Sequence, residues 1–186
     1  MNIWVGEKVK LRAFEASDGD YNFDSWNNSE TLKYREFPKL PASKCITSYF
    51  AQKDSETGPI ASDFHFIIEN LNGEIVGDIG TGECDSRFGT FMFGYEIKEE
   101  FRRKGFATEA ILLVLRYYFY ALRYHKAWTS VYSFNDPSNR LLEKIGFEKE
   151  GVQKEMVFLN GQYFDKNLYG LTYERFENLY GEKYKI

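Results

Sequence analysis

The stretch "EEFRRKGFATEA", Glu99–Ala110, decides how this chain folds. Before it stands "TFMFGYEI", which alternates as a strand does. After it come Ile111, Leu112, Val114 and Leu115, spaced as one face of a helix. A strand therefore ends and a helix begins within these residues. The helix start is unusual. Arg102, Arg103 and Lys104 sit where the helix dipole is already positive, and no Ser, Asp or Asn precedes Gly105 to cap the first N–H groups.

Backbone N–H groups at a helix N-terminus, approached through a glycine, form an anion site. A bound phosphate would satisfy the uncapped donors and offset the crowding of cations. Gly105 allows backbone approach where a Cβ would intrude. A solvated basic loop is the alternative. The spacing fits neither a P-loop nor the three-glycine dinucleotide fingerprint.

Upstream, "EKVKLRAF" reads as a strand, and Asp18 to Lys33 as polar helix with Tyr21, Trp26 and Leu32 as apolar points. Ser43 suits the N-cap of a helix carrying Ile46, Tyr49 and Phe50. "SDFHFIIEN" puts Phe64, Phe66 and Ile68 on one strand face. The Asn-Gly of "LNGE" and the turn "DSRFG" bound the next strand, "EIVGDIGTGEC". Downstream, a helix over Phe106–Leu122 leads to the strand "KAWTSVYS" and the short helix "DPSNRLLEKIGF". Pro137 suits that helix's first turn and Gly146 its stop. Two further strands meet at Asn160-Gly161, and the tail is weakly helical. A strand, a crossover helix and a neighbouring strand imply one parallel pair in an otherwise antiparallel sheet. The fold class is α/β, a mixed and mostly antiparallel sheet of about seven strands, in a single domain over residues 1–186.

The 186 residues suffice for one sizeable core. Aromatic content is 18%, which suits a thick core more readily than an aromatic-lined cleft. A net charge of −4, from 24 Lys+Arg and 28 Asp+Glu, argues against a general nucleic-acid binder. Cys45 and Cys84 suggest neither a disulfide framework nor a zinc site, and His65 and His125 lack a partner motif, so no metal is expected. No signal-like or membrane-length apolar run appears, which points to a cytoplasmic protein without a membrane partner.

Two motifs together resemble the GCN5-related N-acetyltransferases (GNAT). That family follows a strand with Arg/Gln-x-x-Gly-x-Gly/Ala, matched by Arg102, Gly105 and Ala107. Its later signature is matched by Asn135, Ser138, Leu141, Lys144, Gly146 and Phe147. "VKLRAF", "EIVGDIG", "GYEI" with "FRRKGFATEA", and "LNGQYFDKNLYGL" extend the likeness toward the RimJ/RimL-type ribosomal-protein acetyltransferases. The resemblance is thinnest from Tyr34 to Asp63, the segment expected to shape the acceptor side.

The resemblance implies helices on both faces of the sheet and a central V-shaped splay. It implies acetyl-CoA as co-substrate, with Arg102, Arg103, Lys104, Gly105, Phe106, Ala107 and Thr108 around the pyrophosphate. The backbone near Ile97 and the side chain of Asn135 would hold pantetheine. The acceptor is an amine, either a protein N-terminus or a small molecule; a homodimer stays open. Relatives often place a Tyr where this chain has Leu142, so Ser138 is the candidate acid, with helix capping as its alternative. Glu83 is the candidate base, with Glu96 and Asp78 as rivals. Asp165 and Tyr169 match the C-terminal pattern, as local structural bonds or substrate contacts. The reading from another class is an inactive acetyl-CoA-binding sensor or interaction module.

Overall fold

The structure, a computed structural model, describes residues 2–34, 41–56 and 63–185. Its strands are β1 (Val9–Ala13), β2 (His65–Asn70), β3 (Ile75–Asp85), β4 (Thr90–Ile97), β5 (Lys126–Tyr132), β6 (Glu148–Leu159) and β7 (Gln162–Thr172). The helices are α1 (Gly19–Asn27), α2 (Ser29–Leu32), α3 (Lys44–Ser55), α4 (Phe106–Arg116), α5 (Asp136–Lys144) and α6 (Tyr173–Tyr184). The seven strands form one sheet in the order β1-β2-β3-β4-β5-β7-β6. Among the described residues only β4 and β5 run parallel, as the α4 crossover requires. This is the expected mixed α/β sheet.

Strand alternation sends apolar side chains to both faces. Phe66 and Ile68 join Phe91, Phe93 and the buried stripe of α4, Ala110–Leu115, in the main core. Ile67, between them, points the other way and packs with Phe14, Tyr21 and Ala51 under α1 and α3. Asn160 and Gly161 both take positive φ, 50° and 86°. A two-residue turn of that kind matches strand twist and joins β6 to β7.

The sheet opens at its centre. β4 pairs with β5 only from Thr90 to Met92. Beyond that point β4 stays with β3 as far as Ile97, while β5 follows β7 to Tyr132. Thr129 Oγ1 donates to the Phe93 carbonyl at 2.8 Å, at the vertex of this V-shaped splay.

Three elements show detail beyond the sequence reading. The helix expected to run to Leu122 is α-helical only to Arg116, and Tyr117–Ala121 form a π-helical turn. The wider turn lets fully buried Tyr118 stack on Phe91, ring centres 4.0 Å apart. On α3, Ile46, Tyr49 and Phe50 are exposed, and the buried residues are Thr47 and Ala51. Small side chains let α1 come close: a Cβ on Gly19 would lie 2.8 Å from Ser48 Oγ. The tail forms a capped helix, with Thr172 accepting from the Arg175 N–H and with Phe176 and Tyr184 buried. Residues 35–40 and 57–62, within the segment assigned to the acceptor side, lie outside the described residues.

Candidate active site

A cleft of about 500 Å³ opens where β4 leaves β5. The 3-10 turn Glu99–Phe101 carries the chain from β4 to the basic loop. Arg103 and Gly105 both have positive φ, 63° and 87°, and Gly105 occupies the N-cap of α4. Among the described residues no side chain caps that helix end. Arg102, Arg103 and Gly105 line the cleft, followed by Phe106, Ala107 and Thr108 from the first turn of α4. Uncapped donors, a glycine and flanking guanidinium groups suit a phosphate, so the residues fit the phosphate end of acetyl-CoA.

Not every cation of the loop points inward. Arg102 Nε donates to the Ile97 carbonyl at 3.1 Å, which pins the loop to the end of β4. Lys104 is not among the cleft-lining residues; its ammonium lies over the Phe101 ring, 5.0 Å from the centre. Its carbonyl accepts from Lys8 Nζ at 3.2 Å.

Alternation also sets which backbone groups face the splay. The Lys98 N–H donates to Val76 on β3. The Phe93 and Ile97 carbonyls accept from Thr129 and Arg102 instead. The N–H and C=O groups of Phe93, Tyr95 and Ile97 therefore turn toward β5. Ile97 is buried and lines the cleft wall.

The opposite wall is the start of α5. Asn135 is its N-cap and accepts from the Ser138 N–H at 3.4 Å; both residues line the cleft. Buried Asn139 fixes this helix. Its Nδ2 donates to the Tyr132 and Asn135 carbonyls, and its Oδ1 accepts from Asn167 Nδ2 and Tyr169 OH. Tyr169 is thus a structural residue under α5. Asp165 bonds locally to Lys154 and the Glu155 N–H. Leu142 is fully buried in the main core.

Sequence reasoning missed Tyr95. Its phenol reaches across the cleft and donates to Ser138 Oγ at 3.2 Å. Burial pushes the phenol above its ordinary pKa, and the bond to Ser138 offsets part of that rise. The signal available was its position, two residues before Ile97 on the same face.

The acidic candidates separate. Glu96 lines the cleft and accepts from Ser25 Oγ of α1 at 2.9 Å. Asp78 pairs with Glu96 across β3 and β4, so both belong to the α1–α3 face. Asp78 accepts from Tyr21 OH and contacts His65 Nε2 at 2.9 Å, while His65 Nδ1 contacts Asp54 at 2.9 Å. Burial opposes charging His65, but the two carboxylates prevail and push its pKa up to about 9. Glu83, with φ of 48°, sits exposed in the irregular end of β3 and is not among the described residues lining the cleft. The strand register shifts there, between Gly82 and Asp85. Among the described residues no group of three His, Cys, Asp or Glu is placed to hold a metal ion. None of their helices is long and apolar enough to cross a membrane.

Comparison with known proteins bears on this geometry. A family model described as "Acetyltransferase (GNAT) domain" matches residues 8–148. The SPbeta prophage-derived uncharacterized N-acetyltransferase YokL of Bacillus subtilis is 40% identical over 97% of this chain and 99% of its own length. The solved spermidine N-acetyltransferase of Vibrio cholerae, in complex with CoA and spermine, is 26% identical with a TM-score of 0.81; the match covers 92% of this chain and 99% of that one. The [ribosomal protein uS5]-alanine N-acetyltransferase of Escherichia coli is 33% identical, over 46% of this chain and 44% of its own.

Proposed function

Since this chain belongs to the GNAT family and is an acetyl-CoA-dependent N-acetyltransferase, we propose that residues 1–186 act as one domain that acetylates a primary amine at the β4–β5 splay. The observation that carries this is the uncapped, glycine-led N-terminus of α4 opening onto that splay. Arg102, Arg103, Gly105 and the first turn of α4 seat the pyrophosphate. The edge of β4 at Tyr95 and Ile97, with Asn135 opposite, holds pantetheine. A β4 N–H on that edge stabilises charge on the thioester oxygen.

The amine must lose a proton before or during attack. Glu96 is the preferred base, because it borders the cleft; Glu83 is the rival. The departing thiolate lies near the N-terminus of α5, whose dipole favours negative charge, and Ser138 is the nearest hydroxyl on that turn.

The Glu96 carboxylate on the cleft wall favours a cationic acceptor. A small amine such as a polyamine is the first reading, in keeping with the spermidine enzyme. A protein N-terminus, the RimJ/RimL-type acceptor, is the second, in keeping with the partial match to the uS5 enzyme. A cytoplasmic setting belongs to both.

One experiment tests the proposal. Calorimetry with acetyl-CoA is followed by thiol release across polyamines, amino acids, aminoglycosides and N-terminal peptides. Binding plus steady amine-dependent release supports it. Binding without release from any amine would favour a sensor instead.

A further inference from the structure

We propose that Tyr95 is the proton source for the departing CoA thiolate and that Ser138 Oγ relays the proton. This rests on the acetyl-transfer reading above.

The geometry carries the proposal. Tyr95 OH donates to Ser138 Oγ at 3.2 Å, between two elements that form opposite walls of one cleft. Because Ser138 Oγ accepts this bond, its own hydrogen remains available to a group in the cleft. Leu142, where many relatives carry a Tyr, is 0% exposed in the core. A phenol therefore reaches this cleft from β4 rather than from α5.

The chemistry favours a phenol behind the serine. Even with its pKa raised by burial, a phenol stands closer to a thiol of about 8.5 than an aliphatic hydroxyl does. Burial keeps Tyr95 protonated at neutral pH, ready to donate. When the amine nitrogen bonds to the acetyl carbon, the C–S bond breaks and its electron pair stays on sulfur. Ser138 passes its proton to sulfur and takes one from Tyr95. The resulting phenolate recovers a proton from solvent, which has received the one shed by the nitrogen. Amine and acetyl-CoA thus become amide and free thiol, with atoms and charge balanced.

The test uses Y95F, S138A, S138T and the Y95F/S138A double variant, with CoA affinity and melting temperature measured on each. Turnover in Y95F should fall about 100-fold, with the KM for acetyl-CoA nearly unchanged. The double variant should be no slower than the worse single variant, because both residues serve one relay. S138T should restore most of the rate lost in S138A. With CoA alone, thiolate absorbance should show the bound thiol titrating about one unit higher in Y95F, since a donor to the thiolate is weakened. Wild-type turnover in Y95F, or an unshifted thiol in a variant that still binds CoA, overturns the relay alone. Failure of the wild-type protein to bind CoA overturns the site and the relay together.

Discussion

Glu109, in the first turn of α4, accepts the backbone N–H of Lys8 at 2.7 Å. The same buried carboxylate accepts the N–H groups of Glu7 and Val9, each at 2.8 Å. Lys8 then sends its ammonium to the Lys104 carbonyl. The segment entering β1 is thereby clipped across the base of the phosphate loop. Sequence gives no local reason for this tie, since about a hundred residues separate its ends.

Glu109→Ala strands three buried or half-buried N–H donors. Charge-assisted bonds of this kind contribute about 1.5–3 kcal/mol each, and shared relaxation reduces the sum. A loss on the order of 3–5 kcal/mol is expected, read as a lower urea midpoint. Glu109→Gln, which keeps an acceptor, should lose about half as much. Equal stability of wild type and both variants would show that the clip contributes nothing.

Gly105→Asp places a carboxylate at the mouth of the proposed phosphate site. The backbone there has φ of 87°, a region Asp tolerates better than most residues. The added Cβ would lie 3.0 Å from Lys8 Nζ, the movable end of a flexible side chain. The fold should survive with a cost of about 1–2 kcal/mol. Acetyl-CoA affinity should fall about 100-fold or more by calorimetry, as like charges meet at a helix N-terminus. Unchanged affinity would place the phosphates elsewhere.

Glu96→Gln should lower kcat about 100-fold across the pH range, whereas Glu83→Gln should leave kcat near wild type. Amine-dependent thiol release from pH 5.5 to 9 checks both. The opposite pattern would return the base to Glu83.

His65 gives the fold a pH-dependent term. Its pKa is raised to about 9, above the ordinary 6.5. The folded state therefore binds this proton more tightly than the unfolded chain. That stability is fully present below about pH 6.5 and is lost as pH rises through about 9. With its ring partly exposed, the loss is on the order of 2 kcal/mol. Urea unfolding at pH 6, 7.5 and 9 should show it, and His65→Gln should flatten the slope. The same slope in both proteins would assign the titration to another group.

The chain's own order of residues settled the strand and helix sequence, the single parallel pair and the uncapped helix behind Gly105. These follow from alternation, turn chemistry and capping, which act over a few neighbours. The same rules run out where partners are distant. They do not say which face of α3 is buried: its small residues Thr47 and Ala51 are, and Ile46, Tyr49 and Phe50 are exposed. They named Glu83, which the bulge in β3 leaves exposed and apart from the described residues lining the cleft. They left Tyr95 without a role, because its partner Ser138 lies 43 positions later on another element. Sequence determined which groups this protein carries and the local structures that bear them. Only the divergence of β4 from β5, with α5 held at its mouth by Asn139, decided which of those groups share one cleft, since that proximity is made by packing between elements rather than by spacing along the chain.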